Sequence, residues 1–409
     1  MSRSIVGQIT GSCSWILLAL LASALTPFAA AAQGNGGAPA AAAPPAPAPD
    51  PAAQEASARP VPSVWNISGD FRLRYEDTTK QEPNTELGRL EPRHRAVIRF
   101  RGGVTRKINS QLDFGVRIAT GARGDPNTTD VTLGDFVDKF EISLDRVYLG
   151  WAFKGVSLYG GRFVNPLVRT ELVWDDDVSP QGFGATYAFT KSKRIIPSFA
   201  TVYSIVDEQT TNPDSYMAGG QMQLKVQTSK VWNLTLAGAY YDYTIKSLSH
   251  ADAGDILSNR VNAARTNYLS DFNLVDAVGI VDYLGAGARW PVRFSADWVK
   301  NLGAANGDNK GFWVETTVGR ASVKKDIRYR YGFAKAETDA FLAAFSNDNT
   351  TFATNYQQHT LAADFVASPN AIFNMTWYIF RRDQSGPGTG VDPGRSFLSR
   401  LRLNATVSF

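Results

Sequence analysis

The sequence predicts an all-β fold: a transmembrane antiparallel β-barrel of about sixteen strands, an even number of the kind that bacterial barrels use. Three observations carry this. Period-2 segments recur from residue 62 to the last residue, and beyond the amino-terminal leader no apolar run is long enough for a membrane-spanning helix. Short polar turns alternate with long polar loops throughout. The chain also ends on an unbroken alternating strand, with Leu401, Leu403, Ala405, Val407 and Phe409 on one face and Arg400, Arg402, Asn404, Thr406 and Ser408 on the other.

The elements follow in order. Trp65, Ile67, Gly69, Phe71, Leu73 and Tyr75 share the apolar face of the first strand, and Ala96, Ile98 and Phe100 that of a second, over 93–104. A turn at Arg106 to Asn109 leads to Leu112, Phe114, Val116 and Ile118, then to a long loop through Gly121 to Asp138. The next strand carries Val147, Leu149, Trp151 and Phe153, with a phase slip near Asp145 that reads as a β-bulge. After Lys154-Gly155 come Val156 to Val164, a third long loop, and Phe183, Ala185, Tyr187 and Phe189. Strands at 195–206, Tyr216 to Val226 and Trp232 to Tyr240 precede the longest loop, 245–270. The remaining segments are 272–283, Val292 to Trp298, 311–319, Ile327 to Phe333, Leu361 to Phe365, Phe373 to Ile379 and the terminal strand. Each runs about 9–13 residues, enough to cross a bilayer when tilted. Trp65, Tyr75, Trp151, Trp232, Tyr240, Trp298 and Trp377 sit near segment ends, where an interfacial aromatic girdle belongs.

The chain divides into three parts. Residues 1–32 read as a signal peptide: Arg3, then the short apolar core Trp15 to Leu21, then Pro27 and the small residues Ala29 to Ala32, with cleavage after Ala32. Residues 33–61 are rich in Ala, Pro and Gly with almost no large apolar side chains, the composition of a disordered tether on the periplasmic side. Residues 62–409 form the barrel domain. The only cysteine, Cys13, leaves with the signal, which excludes disulfides and thiolate chemistry from the mature chain.

Charge is near balance, with 42 Lys and Arg against 38 Asp and Glu, so its placement matters more than its sum. The face opposite the apolar stripe carries Arg72, Arg74, Arg93, Arg95, Arg99, Arg101, Arg117, Arg146, Lys225, Arg293, Arg328, Arg330, Arg400 and Arg402. Acids on that face are fewer: Asp70, Asp113, Asp297, Glu315, Asp326 and Asp364. The others crowd into loops, as at Asp175-Asp176-Asp177, Asp207-Glu208 and Asp348. The sequence thus describes a basic pore lining that concentrates counter-ions. The alternative is that the arginines pair with loop carboxylates and hold the loops in place.

Four stretches carry a resemblance. Gly160-Gly161-Arg162-Phe163-Val164-Asn165-Pro166-Leu167, followed by Trp174-Asp175-Asp176-Asp177-Val178-Ser179-Pro180-Gln181-Gly182, resembles the bacterial putative-porin family, outer-membrane β-barrel porins. Pro291 to Asn301 and Tyr329-Arg330-Tyr331 leading to Glu337-Thr338-Asp339-Ala340 are similar to it as well. Gln181 stands where Glu is expected. The terminal strand ending in Phe409 resembles the closing strand of such barrels. The resemblance implies an integral protein of the bacterial outer membrane that lets small hydrophilic solutes diffuse passively, a homotrimer, with no cofactor. It implies contact with outer-membrane lipid and lipopolysaccharide and insertion by the barrel-assembly machinery. Asn165-Pro166 would open a loop that folds into the lumen, with Asp175, Asp176 and Asp177 facing the wall arginines. The same acids could instead bind divalent cations or lipopolysaccharide at the rim.

Rival functions find less support. His94, His250 and His359 are the only histidines; none lies in a nucleophile motif, and no cluster has metal-ligand spacing, so a barrel enzyme lacks its chemistry. A substrate-specific channel would want an aromatic slide, to which Tyr159, Tyr203, Tyr241 and Tyr243 could contribute. Nucleic-acid binding is disfavoured, because the basic residues form no contiguous patch.

Overall fold

The computed structural model describes residues 65–80, 92–189, 192, 194–251, 258–347, 349–383 and 397–409. The expected leader and tether, 1–61, and Asp348 lie outside them. Strands β1 (Trp65–Lys80), β2 (Arg93–Lys107), β3 (Leu112–Thr120), β4 (Val131–Thr132), β5 (Ile142–Phe153) and β6 (Val156–Arg162) open the chain. There follow β7 (Gln181–Ala188), β8 (Ile195–Asp207), β9 (Ser215–Gln227), β10 (Trp232–Thr244), β11 (Phe272–Tyr283) and β12 (Val292–Asn301). Last come β13 (Lys310–Gly319), β14 (Ile327–Ala336), β15 (Tyr356–Ser368), β16 (Ala371–Arg382) and β17 (Leu398–Ser408).

Apart from β4, a two-residue strand lying against β2, each strand pairs antiparallel with its neighbours in sequence, and β17 pairs with β1. The result is a closed antiparallel barrel with sixteen strands in its wall. Closure leaves no free edge, so every wall strand satisfies its backbone groups on both sides. Connections at one end are short: 108–111, 154–155, 189–194, 228–231, 284–291, 320–326 and 369–370. Those at the other end include 121–141, 163–180, 245–271 and 337–355. The asymmetry read from the sequence is present.

Alternation sorts the two faces. Along β1, Phe71, Leu73 and Tyr75 stand outward and exposed, while Asp70, Arg72, Arg74, Glu76 and Thr78 point inward and are buried. All seven girdle aromatics are exposed. The phase slip is real: Arg117 pairs with Arg146 but Ile118 pairs with Leu144, so Asp145 is the extra residue. The bulge turns Asp145 and Arg146 inward together while Leu144 and Val147 both stay outward. Strands extend beyond their apolar stripes on the long-loop side. β15 begins at Tyr356 and β17 at Leu398, because only the stretch that meets lipid needs to alternate.

The carboxy-terminus is zipped to β1. Gly69 N–H donates to the Phe409 carbonyl at 2.9 Å, and Phe409 N–H donates to the Gly69 carbonyl at 3.0 Å. The Phe409 ring lies over Gly69, where a Cβ would come within 2.6 Å of it, and stacks beside Phe100 at 6.4 Å. A Cβ would lie closer still to the Arg101 carbonyl oxygen on β2, and because that backbone atom cannot move aside, glycine is required there.

Candidate functional site

The segment 163–180 lies within the barrel. Asn165 accepts the Leu167 N–H at 3.1 Å and so starts the turn that sends the chain inward. From there the segment is anchored at points spread around the wall. Gln221 on β9 exchanges two hydrogen bonds of 2.7 Å with the backbone of Val168. Thr170 donates to Asp297 on β12. Arg146 on β5 donates to Ser179 at 2.8 Å, and Arg101 on β2 meets Asp177 at 2.7 Å. A segment held by strands this far apart in the ring must cross the lumen.

The three aspartates play different parts. Asp177 bridges to Arg101 of the wall and also accepts from Thr129 at 3.0 Å. Burial opposes its charge, but Arg101 and Arg99 outweigh that and hold its carboxyl well below the usual range. Asp176 pairs with Arg169 of the same loop at 2.8 Å and is about half exposed, its side chain at 48%. Asp175 accepts the Asp177 N–H at 2.7 Å and shapes the loop. Pro166 is half-buried behind Asn165. Glu171, which sequence reasoning passed over, is pushed up to about 7 by burial and by Asp176, with Arg330 working against both.

The basic positions gather in three groups. On β17, β1 and β2, Arg99 and Arg101 both contact Asp70 at 2.8 Å, and Glu76 takes Arg95 and Arg402 at 2.7 Å with Arg400 at 3.7 Å. Arg72 and Arg74 share Asp130, which reaches in from 121–141. Burial works against charge on Asp130, and these two arginines overcome it and keep the carboxyl far below its ordinary value. In the second group Arg117 and Arg146 flank Asp145. In the third, Arg328 and Arg330 meet Asp364 at 2.8 and 3.7 Å. Arg293 stands apart, nearer the short-turn end, with Asp282 at 2.5 Å.

Every one of these arginines has a carboxylate partner, so the inventory of facing acids drawn from alternation was too short. It missed Glu76 on β1, Asp145 at the bulge, Asp282 on β11 and Asp130, which arrives from a loop that alternation does not describe; Asp177 comes from the loop expected to face the wall arginines. Asp326 does not belong on the pore face. It caps the 320–326 turn, accepting the Val323 N–H at 2.9 Å and pairing with Arg320 at 2.9 Å.

The aromatic slide is not formed. Tyr241 and Tyr243 are buried beneath Trp174, Tyr203 faces outward beside Tyr216, and Tyr159 stacks on Phe163. A second inward segment, 337–355, explains the burial. Its Phe345 stacks on Trp174, Asp175 N–H donates to the Phe345 carbonyl at 2.8 Å, and Asn347 donates to the Glu171 carbonyl at 2.9 Å. Asn349 donates to the Glu171 carboxylate at 3.0 Å and accepts from Arg402 at 2.7 Å and Tyr378 at 3.1 Å. The apolar run Ala340-Phe341-Leu342-Ala343-Ala344-Phe345 was the available signal. It sits outside the alternating segments, and a loop that meets only water has no use for it.

Among the described residues, each histidine has its own separate partner. His250 meets Asp207 at 2.8 Å, but the hydrogen bonds of Ser249 involve Ser247 and Gln209. His94 contacts Asp77 at 3.2 Å and His359 contacts Tyr331 at 3.0 Å.

A closed barrel with an apolar exterior, a charged interior and loops folded across its lumen is a membrane channel of the outer-membrane type. The sequence profile of the putative porin family matches residues 66–273, half of the chain, and the chain belongs to that family. Two solved structures share the fold. OprB of Pseudomonas putida is 13% identical with a TM-score of 0.53, over 84% of this chain and 94% of that one. The anion-selective porin of Comamonas acidovorans is 12% identical with a TM-score of 0.50, over 85% and 100%. No curated protein matches the chain in sequence.

Proposed function

We propose that this porin is a general diffusion pore for small hydrophilic solutes, narrowed by the 163–180 segment and weakly preferring anions. The observation that carries the reading is the pairing of Arg101 with Asp177 at 2.7 Å, which sets an acidic loop against a basic wall inside the lumen. Opposed charges at a narrow point make a transverse field that orients dipolar solutes. Around Asp70, Glu76, Asp130 and Asp177 the guanidinium groups outnumber the carboxylates, so a net positive lining remains after pairing. The mature chain starts after Ala32, keeps its 33–61 tether in the periplasm, is inserted by the assembly machinery through its Phe409 end, and works as a homotrimer among lipid and lipopolysaccharide.

Planar-bilayer recording tests this. The reading expects stepwise ohmic conductance with a reversal potential displaced towards the anion equilibrium value in a salt gradient. A protein that inserts without conducting would end it. A substrate-specific channel is the second reading, favoured by the packing of 337–355 against 163–180 inside the lumen. Saturable block of the current by one solute class separates the two.

A further inference from the structure

The outward face of the barrel has a gap in its side-chain cover. One register row crosses the wall as Arg106, Phe114, Leu149, Gly160 and Phe183. The next row towards the short turns carries Leu112, Trp151, Leu158 and Ala185. Leu149, Trp151, Leu158 and Phe183 are exposed, as lipid-facing residues should be, but Gly160 stands among them with no side chain. An apolar groove of about 510 Å³ results. Nothing in the fold asks for glycine at this position. Its φ is not in the left-handed region, and a Cβ would meet nothing nearer than the Phe183 ring at 4.0 Å. The space is left open by the protein and not closed by its own packing.

The groove ends at the short-turn side, where Asn109 and Gln111 of the 108–111 turn form a polar lip. Two cations flank that lip, each lying on an outward aromatic ring. The Arg106 guanidinium is 4.7 Å from the centre of Trp65, its cross-strand partner, and the Lys154 ammonium is 5.0 Å from that of Phe153. Aromatic rings of this belt sit at headgroup level, so both cations stand there too. No ion pair forms at Lys154 among the described residues, and the turns 108–111, 154–155 and 189–194 contain no acid. An apolar slot that opens between cations at headgroup depth fits an amphiphile with an anionic head. We propose that this groove seats one acyl chain of an anionic glycerophospholipid, with its phosphodiester between Arg106 and Lys154. A second copy of the chain at the same depth would bring only more cations to the lip. Of the short connections only 320–326 holds an acid, Asp326, and Arg320 pairs with it. The inference rests on the proposed membrane placement, in which the short turns face the periplasm and the lipid belongs to the inner leaflet, but not on what the lumen conducts.

The test titrates the full chain in detergent with phosphatidylglycerol and with phosphatidylethanolamine of the same acyl chains, read by native mass spectrometry. Gly160→Phe fills the groove from a lipid-facing position, so the β-sheet circular dichroism should stay unchanged while the tightest phosphatidylglycerol step disappears. R106Q/K154Q keeps the groove but should weaken phosphatidylglycerol binding by roughly 30-fold, the effect of two surface cations, and leave phosphatidylethanolamine binding unaffected. A second outward groove, of about 470 Å³ over Ala363, supplies the control, since Ala363→Phe should leave the tightest step in place. Equal binding by wild type and G160F, or equal weakening of both lipids by R106Q/K154Q, overturns the proposal. So does a wild type that holds no lipid because a second copy covers the groove, seen as an oligomer that G160F takes apart. Conductance on the same samples tests the pore separately, because these side chains face away from the lumen. A wild type that binds the lipid but does not conduct would sink the pore reading alone.

Discussion

The indole of Trp174 and the ring of Phe345 lie 5.7 Å apart and 6° from parallel, although the two residues are 171 positions and eight wall strands apart in sequence. Tyr243 closes the stack, with centroids 6.3 Å from Trp174 and 6.2 Å from Phe345. Each loop alone would leave an aromatic ring in water. Together they build an apolar core inside a barrel whose lumen is otherwise charged, and that core fixes where the acidic loop stands. The two segments are one folded unit.

Replacing Trp174 by Ala should therefore loosen both segments, removing about 3–5 kcal/mol of packing from the loop core without touching the wall. Single-channel conductance is expected to rise and become noisier, and protease should gain access to 337–355. The β-sheet circular dichroism should stay unchanged. A variant with wild-type conductance would show that this core does not set the aperture.

The wall was legible in the sequence; of the lumen, only the inward loop with Asp175 to Asp177 facing the arginines was expected, and on resemblance rather than on periodicity. Lipid imposes alternation on every strand it touches, so Phe71, Leu73 and Tyr75 announce their face, and even the bulge at Asp145 shows as a break in phase. What fills the lumen obeys no period. Asp130, Asp177 and Phe345 come from loops, and their partners are set by distances across the barrel that no local pattern encodes. The inward tyrosines were assigned the right face on β10, Tyr241 and Tyr243, but the wrong neighbours. The Asn165-Pro166 turn was the one loop signal that named its own geometry.

The faces can be tested directly. Phe294 is 45% exposed on the outside of β12, and an Arg there should cost about 2–4 kcal/mol near the bilayer centre. Leu236→Arg, on the same face of β10, should behave alike, whereas Thr235→Arg, inward and half-buried, should be milder. Ser295 is a poor control because it is buried inside the barrel. Refolding yield into lipid vesicles and urea unfolding measure the difference. Equal costs at 235 and 236 would contradict the assigned faces.

Selectivity should follow the Arg101–Asp177 pair. Asp177→Asn leaves Arg101 and Arg99 with Asp70 as their remaining carboxylate, so the reversal potential should move towards anions. Neutralising Arg99 and Arg101 together frees Asp70 and Asp177 and should move it towards cations. Shifts of the same sign in both variants would mean that the side chains act only by placing the loop.

Glu171 gives the pore a dependence on pH. Its carboxyl is held at about 7 by burial and by Asp176, against an ordinary value of 4.5. Because the folded state raises this value, the contribution to stability is fully present below the unfolded value and is lost as pH rises through about 7. The same titration changes the loop's charge. In acid Glu171 is neutral and the loop keeps one carboxylate fewer; in mild alkali it is ionised beside Asp176. Anion preference should accordingly be strongest in acid and weaken across neutrality, with its midpoint near 7. Glu171→Gln holds the amide in a permanently uncharged state, so its reversal potential should stay at the wild type's acidic value throughout. Asn349 donates to this carboxylate at 3.0 Å, and Asn349→Ala should move the midpoint upward, since a hydrogen bond to the ionised form is lost. A wild-type reversal potential that does not change between about pH 5 and 9 would place Glu171 away from the conducting path.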